Sequence, residues 1–349
     1  DQVNLSWLSH QEFFPMDVLI PYTLLKDTLQ RALGQVGFDK ARSERCAELF
    51  AKTDLDGVRS HGVERFARLL RYIEAGVVFP DRCPVLLSQA GFFERWDGHL
   101  GPGNLNAQFA MNRAMELAAV SGIGCVALAN TNHWMRGGSY GWQAVEEGKI
   151  GICFTNTMPN MPAWGAKESK LGNNPLVIGI PRKNGPVVLD MAMSQFAYGK
   201  LSRLAQTGEK AAFPAGFDSK GELTDDPQTV LDNQSAVPMG LWKGAGLSLM
   251  IDLLAALLSG GKSTKDIGAN DLESGLSQVF ISLDPKVLGL EGWFEEKAEA
   301  ILADYLNAEA FEGKSVFYPG QQTLQTRAKN LQYGVPVAAK TWEKLVDEL

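Results

Sequence analysis

Leu24, Leu25, Leu29, Ala32 and Leu33 recur at helical spacing along "YTLLKDTLQRALGQVGF" and predict one apolar stripe on a helix. The same period runs on through "KARSERCAELFAKTDLDG" and "HGVERFARLLRYIEAG", so residues 22–76 read as helices with Gly76 as the stop. Residues 85–100 read as a short β-turn-β piece with "FFERWDG" between, followed by the helix "GNLNAQFAMNRAMELAAVSG". Strands and helices then alternate. "GCVALAN" (124–130) reads as a buried strand, "GGSYGWQAVEEG" (137–148) as a short helix, and "IGICFTNT" (150–157) as another strand. "PLVIGIPR" and "PVVLDMAM" form two more, joined by "KNG" as a hairpin turn. This alternation predicts an α/β fold with a largely buried sheet.

Residues 203–239 are polar with little periodicity and read as a long surface excursion. "GAGLSLMIDLLAALLSGG" (244–261) is apolar around most of its circumference, which predicts a buried helix. "LSQVFISLD" predicts a strand, "WFEEKAEAILADYLNAEA" an amphipathic helix, and 322–349 two short helices. The layout expected is a helical part, 17–80, which the C-terminal 322–349 can rejoin, and an α/β part, 81–321. Residues 1–16 lack the basic start and long apolar core of a signal peptide. They read as an added or upstream extension, so His10 is set aside and a cytoplasmic protein is expected.

Composition narrows the function classes. A chain of 349 residues, 45% hydrophobic, can bury a sizeable core in about two domains. Net charge is −7 and basic residues are not clustered, which argues against a nucleic-acid partner. No run of 18 apolar residues is evident, so no membrane span is expected. Cys46, Cys83, Cys125 and Cys153 form no C-x-x-C pair and read as buried free thiols in a reducing compartment. No His, Cys, Asp or Glu cluster has ligand spacing, so no metal is expected.

Three motifs mimic known sites. "GIGCVA" (122–127) has the letters of a dinucleotide fingerprint, but its glycines precede the strand and end a helix instead. "GGKST" (260–264) echoes a phosphate-binding loop but follows a helix and has Ala256 where the first glycine belongs. Ser248 in "GLSLMI" lacks the strand-to-helix elbow of a hydrolase nucleophile.

Five segments carry better chemistry. In "RSHGVERF" (59–66), Ser60 can cap a helix on which His61 and Arg65, four residues apart, share one face. The histidine can move a proton near neutral pH and the arginine can clamp a carboxylate; a plain surface helix start is the alternative. "NTNHWMRGGSYGW" (130–142) follows a strand and holds His133, either a ligand-facing group or the cap of a local turn. "TNTMPNMPAWGAKESKLGNNPL" (155–176) offers amides suited to a carboxamide or phosphate. Asp190 interrupts the apolar strand "VVLDMAMS" and needs a partner, a histidine being the natural one. "PMGLWKGAGLS" (238–248) puts Lys243 and small residues at a helix start.

Together "SHGVERF", "NHWMRGGSYGWQA", "PAWGAKESKLGNNPL", "LDMAMS" and "GLWKGAGLS" resemble the second malate/L-lactate dehydrogenase family over about residues 20–349. The resemblance implies a mixed-sheet NAD(P)-binding domain of the sulfolactate/malate dehydrogenase type at 81–321, beside a helical substrate or dimer part. It implies that His61 gives a proton to the substrate carbonyl, with Ser60 adjacent, and that Arg65 binds the substrate carboxylate. Asp190 would orient the histidine near the nicotinamide, and His133 is a second acid–base candidate. Pro186, Val187, Val188, Leu189, Asp190, Met191 and Ala192 match dinucleotide-binding positions, as do Trp242, Lys243, Asn173, Gly320, Gln321 and Gln322. Gln321 and Gln322 stand where the sugar-acid reductase branch tends to have His-Glu, a departure that bears on substrate identity. The implied cofactor is NADH, with NADPH possible. The implied activity is reduction of a 2-oxo or 2,3-dioxo sugar acid by a homodimer. A malate, lactate or other 2-hydroxy acid dehydrogenase, and a non-catalytic dinucleotide-binding protein, are the alternatives.

Overall fold

The computed structural model describes residues 17–347, so the extension expected at the N-terminus, with His10, lies outside the described residues. The chain opens with strand β1 (Asp17–Ile20) and helices α1 (Tyr22–Gln35), α2 (Lys40–Leu55) and α3 (Val63–Glu74), with a 3-10 turn at Arg59–His61. A hairpin of β2 (Val85–Ala90) and β3 (Phe93–Asp97) follows, then α4 (Gly103–Ser121), β4 (Ile123–Thr131), α5 (Gly138–Glu146) and β5 (Ile150–Thr155). Short strands β6 (Met161–Pro162) and β7 (Ser169–Leu171) lead to β8 (Leu176–Ile180) and β9 (Val187–Met191). Next come α6 (Tyr198–Thr207), β10 (Gly216–Phe217), β11 (Leu223–Thr224), α7 (Pro227–Asn233), α8 (Trp242–Ser259), α9 (Thr264–Ile267) and β12 (Leu276–Leu283). The chain closes with α10 (Trp293–Leu306), α11 (Gln321–Tyr333), β13 (Val335–Ala338) and α12 (Ala339–Asp347). Two compact units result: one runs to Ala67 and resumes at Thr323, the other is Arg68–Gln322.

In the first unit β1 and β13 pair antiparallel, with Ile20 opposite Val335. Neither short strand is visible in the sequence pattern, because four residues give almost no period. Leu25, Leu29, Ala32 and Leu33 are buried as the stripe predicts, but Leu24 is exposed. Phe50 and Phe66 meet edge to face with centroids 5.3 Å apart. Two forked ion pairs brace the unit: Arg327 on Asp56 at 2.6 and 2.9 Å, and Arg59 on Asp17 at 2.7 and 2.8 Å.

The second unit is built on a seven-stranded sheet in the order β2-β3-β4-β12-β5-β8-β9. Helix–strand alternation favours parallel pairing, yet only β3 and β4 run parallel. The other neighbours are antiparallel: β12, arriving late in the chain, inserts between β4 and β5 against both, and β2–β3, β5–β8 and β8–β9 also pair antiparallel. Leu276 to Phe280 of β12 are all buried, and Phe280 lies 6.0 Å from the Trp134 ring and 5.9 Å from that of Tyr140.

Several expectations need correction. "FERWD" is itself strand β3, not a connection. Residues 203–239 are not merely a surface excursion, since Leu204, Ala211, Ala215, Val230 and Ala236 enter the core; the contributing residues are isolated and mostly small, so no period shows. Helix α8 is not buried all round. Its covered face is Gly244, Ala245, Ser248, Ile251, Ala255 and Ser259, largely small residues that allow close approach to the sheet. Leu247, Leu249, Met250, Leu253, Leu254 and Leu257 are exposed. By length and composition this helix is also apolar enough to cross a membrane, although Lys243 and Asp252 interrupt its apolar run. Helix α10 buries none of its residues despite its amphipathic pattern, and Cys83 is an exposed thiol. Gly122 and Gly260 do end helices, each at positive φ, and Ser263 forms a capping box with Asp266.

Phe280→Ala removes a ring from the centre of the sheet, and a loss of about 3–5 kcal/mol in urea unfolding is expected, with the m-value unchanged.

Candidate active site

Because β12 opposes both β4 and β5, and β8 opposes both β5 and β9, strands β4, β5 and β9 run the same way. The register places Thr131 opposite Leu276 and Thr155 opposite Gln278, and it puts Leu176 opposite both Phe154 and Met191. The segments after these three strands therefore emerge at one end of the sheet. They are the loops carrying His133, Asn173 and the residues that follow Asp190.

The 130–137 loop is tied down from below. Asn132 donates its amide to the carbonyls of Val77, Leu100 and Gly101 at 3.2, 2.9 and 3.0 Å, and its own carbonyl accepts from Gln278. Asn130 and Met135 adopt left-handed backbone at φ 53° and 63°, which costs energy for residues other than glycine. The His133 Nδ1 accepts the Met135 N–H at 3.0 Å, so one ring nitrogen serves the local turn. The amides of 155–176 are also engaged: Asn156 with Asp252 and Lys262, Asn174 with Ser248, and Asn173 with Thr157 and Asn160. These bonds hold the loop, and at Asn173 it is the carbonyl oxygen that accepts them. Beside it, a cavity of about 610 Å³ is lined by Trp164, Lys167, Phe217 and Lys220.

Asp190 accepts the Gly138 N–H at 2.8 Å. A Cβ on Gly138 would fall 2.7 Å from Asp190 Oδ2 and 3.3 Å from Arg136 Nε, so only glycine fits between them. The protein packed around the Asp190 carboxyl raises its pKa, while the Arg136 charge and the Gly138 N–H oppose that rise. Arg136, a buried cation close to this carboxylate, was not among the sequence candidates; a charge beside a double glycine was its only signal.

The residues matched to a dinucleotide gather on this unit. Val188 N–H donates to Pro319 at 3.0 Å, and Gly320 at φ 92° lies close enough that a Cβ would meet the Val188 nitrogen at 3.1 Å. Met193 joins Asn173 and Met239 through backbone bonds of 2.8 Å, and Ser194 bridges to Pro238. The end of β9 thus adjoins the start of α8, where the Trp242 indole is 63% exposed. Leu241 just before it is held at φ 60°, ψ −118°. Gly320 lies against the backbone of β9, and exposed Trp242 and Lys243 open α8 beside the end of that strand, a bare backbone and two exposed side chains that fit a dinucleotide. Gln321 Oε1 accepts the Tyr318 N–H at 3.2 Å, a turn-forming task, and Gln322 follows it exposed on α11.

In the first unit the expected cap is corrected. His61 is not on α3; it ends the 3-10 turn Arg59–His61, and α3 begins at Val63. Gly62, at φ −91°, ψ −133°, breaks the helical path, so the four-residue spacing to Arg65 is not a helical one. Ser60 Oγ lies 2.9 Å from His61 Nδ1 instead of capping the helix. The cap comes from nine residues upstream: Asp54 Oδ2 accepts the Val63 N–H at 2.7 Å. Asp54 was missed by sequence reasoning, although an acid in "AKTDL" on a buried helix face is its signal.

The sequence profile of malate/L-lactate dehydrogenase matches residues 20–346, and the chain belongs to that family. It is an oxidoreductase of 2-hydroxy acids, a class that works with a nicotinamide dinucleotide. Among individual relatives, it is 42% identical to the 2,3-diketo-L-gulonate reductase of Escherichia coli O127:H6 over 330 residues, covering 93% of this chain and 98% of that one. The fold is that of the malate and sulfolactate dehydrogenases. Malate dehydrogenase from Pyrococcus horikoshii OT3 superposes with a TM-score of 0.88 at 28% identity, over 97% of this chain and 96% of that one. Sulfolactate dehydrogenase from Methanocaldococcus jannaschii gives 0.86 at 28%, over 95% and 96%.

Burial pushes Asp54 up to about 8. Its carboxyl therefore holds a proton more tightly folded than unfolded, and stability falls as pH rises from about 4 to about 8. Asp54→Asn should remove that component, so the wild-type-minus-variant difference in urea midpoint should slope downward across this window.

Proposed function

We propose that the protein reduces a 2,3-dioxo sugar acid, 2,3-diketo-L-gulonate or a near analogue, with NADH. The single observation that carries the proposal is the 42% identity to a 2,3-diketo-L-gulonate reductase across nearly both full lengths. The bound nicotinamide supplies the hydride that the reduction needs. His61 gives its proton to the carbonyl oxygen that becomes the hydroxyl, and takes another from solvent. Ser60 Oγ, 2.9 Å from His61 Nδ1, holds the ring in place. Arg65 clamps the substrate carboxylate in a two-point pair. Residues 186–192, Asn173, Trp242, Lys243 and Gly320 would hold the dinucleotide, with Asp190 fixing the start of α5 beside it.

We also propose a cytoplasmic homodimer. The seven exposed Leu and Met side chains of α8, Leu258 among them, form an apolar face that suits a second copy. Leu254→Glu with Leu257→Glu should shift the sedimenting species from dimer to monomer. A wild-type monomer at micromolar concentration would count against this assembly.

Turnover is checked by NADH absorbance with 2,3-diketo-L-gulonate, and in the reverse direction with malate and L-lactate. A preference for malate would favour the 2-hydroxy acid dehydrogenase alternative, and NADPH in the same assay decides the cofactor. His61→Asn is expected to lower kcat by about a hundredfold or more, as loss of an acid–base group does, and to leave NADH binding intact. Parallel measurement of His133→Asn assigns the proton: a larger loss there than at His61 would transfer the role.

A further inference from the structure

The turn that carries His61 rests on a buried carboxyl that takes no part in the chemistry described above. Asp54 is in the last turn of α2 and is 3% exposed. Its Oδ2 accepts the N–H of Val63, the first residue of α3. Its carboxyl also fills the space beneath Gly62: a Cβ added there would fall 2.1 to 2.2 Å from Oδ2, Cγ and Oδ1. No side chain can occupy that point unless the carboxyl or the backbone moves. Gly57 N–H and Val58 N–H return to the carbonyls of Asp54 and Thr53 at 2.9 and 3.0 Å, so the connection leading to the turn is anchored on the same residues. Asn330 donates to the Leu55 carbonyl at 2.8 Å and holds the end of α2 from the other side.

We infer that Asp54 and Gly62 act as a matched pair that sets the direction of His61. The carboxyl supplies the cap that Ser60 does not, which leaves the Ser60 hydroxyl for the His61 ring. The absence of a side chain at Gly62 lets the backbone lie directly on that carboxyl. Asp54 is therefore a positioning residue. It acts through the corner His61–Gly62–Val63, and its loss rotates the proton donor rather than removing it. A displacement of about 1 Å at such a group can cost about a hundredfold in rate. This inference rests on the proposed role of His61, so its test includes a readout that needs no turnover.

The test compares the full chain with Asp54→Ala, Asp54→Asn, Gly62→Ala and the double variant Asp54→Ala/Gly62→Ala. The readouts are kcat and KM, urea midpoint, and the proton NMR signals of the His61 ring, assigned by their loss in His61→Asn. Asp54→Ala is expected to lower kcat by about a hundredfold with little change in NADH affinity. Asp54→Asn keeps an acceptor for Val63 and should restore most of that loss. Gly62→Ala should be as damaging as Asp54→Ala alone, yet add little in the Asp54→Ala background, because the colliding carboxyl is gone. The His61 signals and their titration midpoint should move in Asp54→Ala and Gly62→Ala and stay in place in Asp54→Asn. Additive losses from the two sites, or unmoved His61 signals alongside lost turnover, would overturn the inference. If Asp54→Ala does not fold, Asp54→Asn and Gly62→Ala still decide through the ring signals. Moved signals in a protein that reduces none of the acids would sink the functional reading and leave the pair standing.

Discussion

The direction of β12 is the constraint on which the second unit depends. A strand opposing both of its neighbours makes β4 and β5 co-directional without a parallel contact between them, and the β8–β9 hairpin adds β9 to the set. Three polar loops that are far apart in sequence then leave the sheet together. A shift of β12 by one residue would turn its buried Gln278 and Phe280 away from the loop and rings they support, so the register is strongly held.

Polar groups beneath those loops fix their shape. Asn132 alone ties three backbone carbonyls, and the Asn156, Asn173 and Asn174 side chains are hydrogen-bonded within the protein. A buried amide in a low-dielectric setting costs much when unpaired and specifies a single geometry when paired. The left-handed backbone at Asn130 and Met135 is held by this network, so the loop is shaped before any ligand arrives.

Legibility in the sequence followed element length and residue size. The long helices and the apolar strands of the sheet were visible because their periods repeat several times. Strands β1 and β13 were not, since "DVLI" and "VPVA" are too short to carry a period. The α8 face was read wrongly because hydrophobicity marks burial only when size is free; here the sheet admits Ala245, Ser248 and Ala255 and leaves the leucines outside. At the site, the motifs naming His61, Arg65, His133 and Asp190 were plain as letters, but their roles depend on backbone path. Ser60 looked like a cap by position, yet the cap is Asp54, a contact across a turn that spacing rules for local helix starts do not cover. Arg136 beside Asp190 was hidden for a similar reason, being 54 positions away in the chain.

The Asp190–Gly138 contact has a bearing on coenzyme choice. In fingerprint dehydrogenases the amide ends of a helix receive the pyrophosphate, and the acidic residue that judges the ribose lies at a fixed offset from them. Here the protein has seated its own carboxylate on the first N–H of α5. A second anion at that spot would meet the Asp190 carboxyl instead of a vacant dipole. Engineering that grafts a glycine-rich turn or moves an acid near α5 is thus aimed at a closed door. Such a graft would first have to displace the Asp190 carboxyl from the Gly138 N–H.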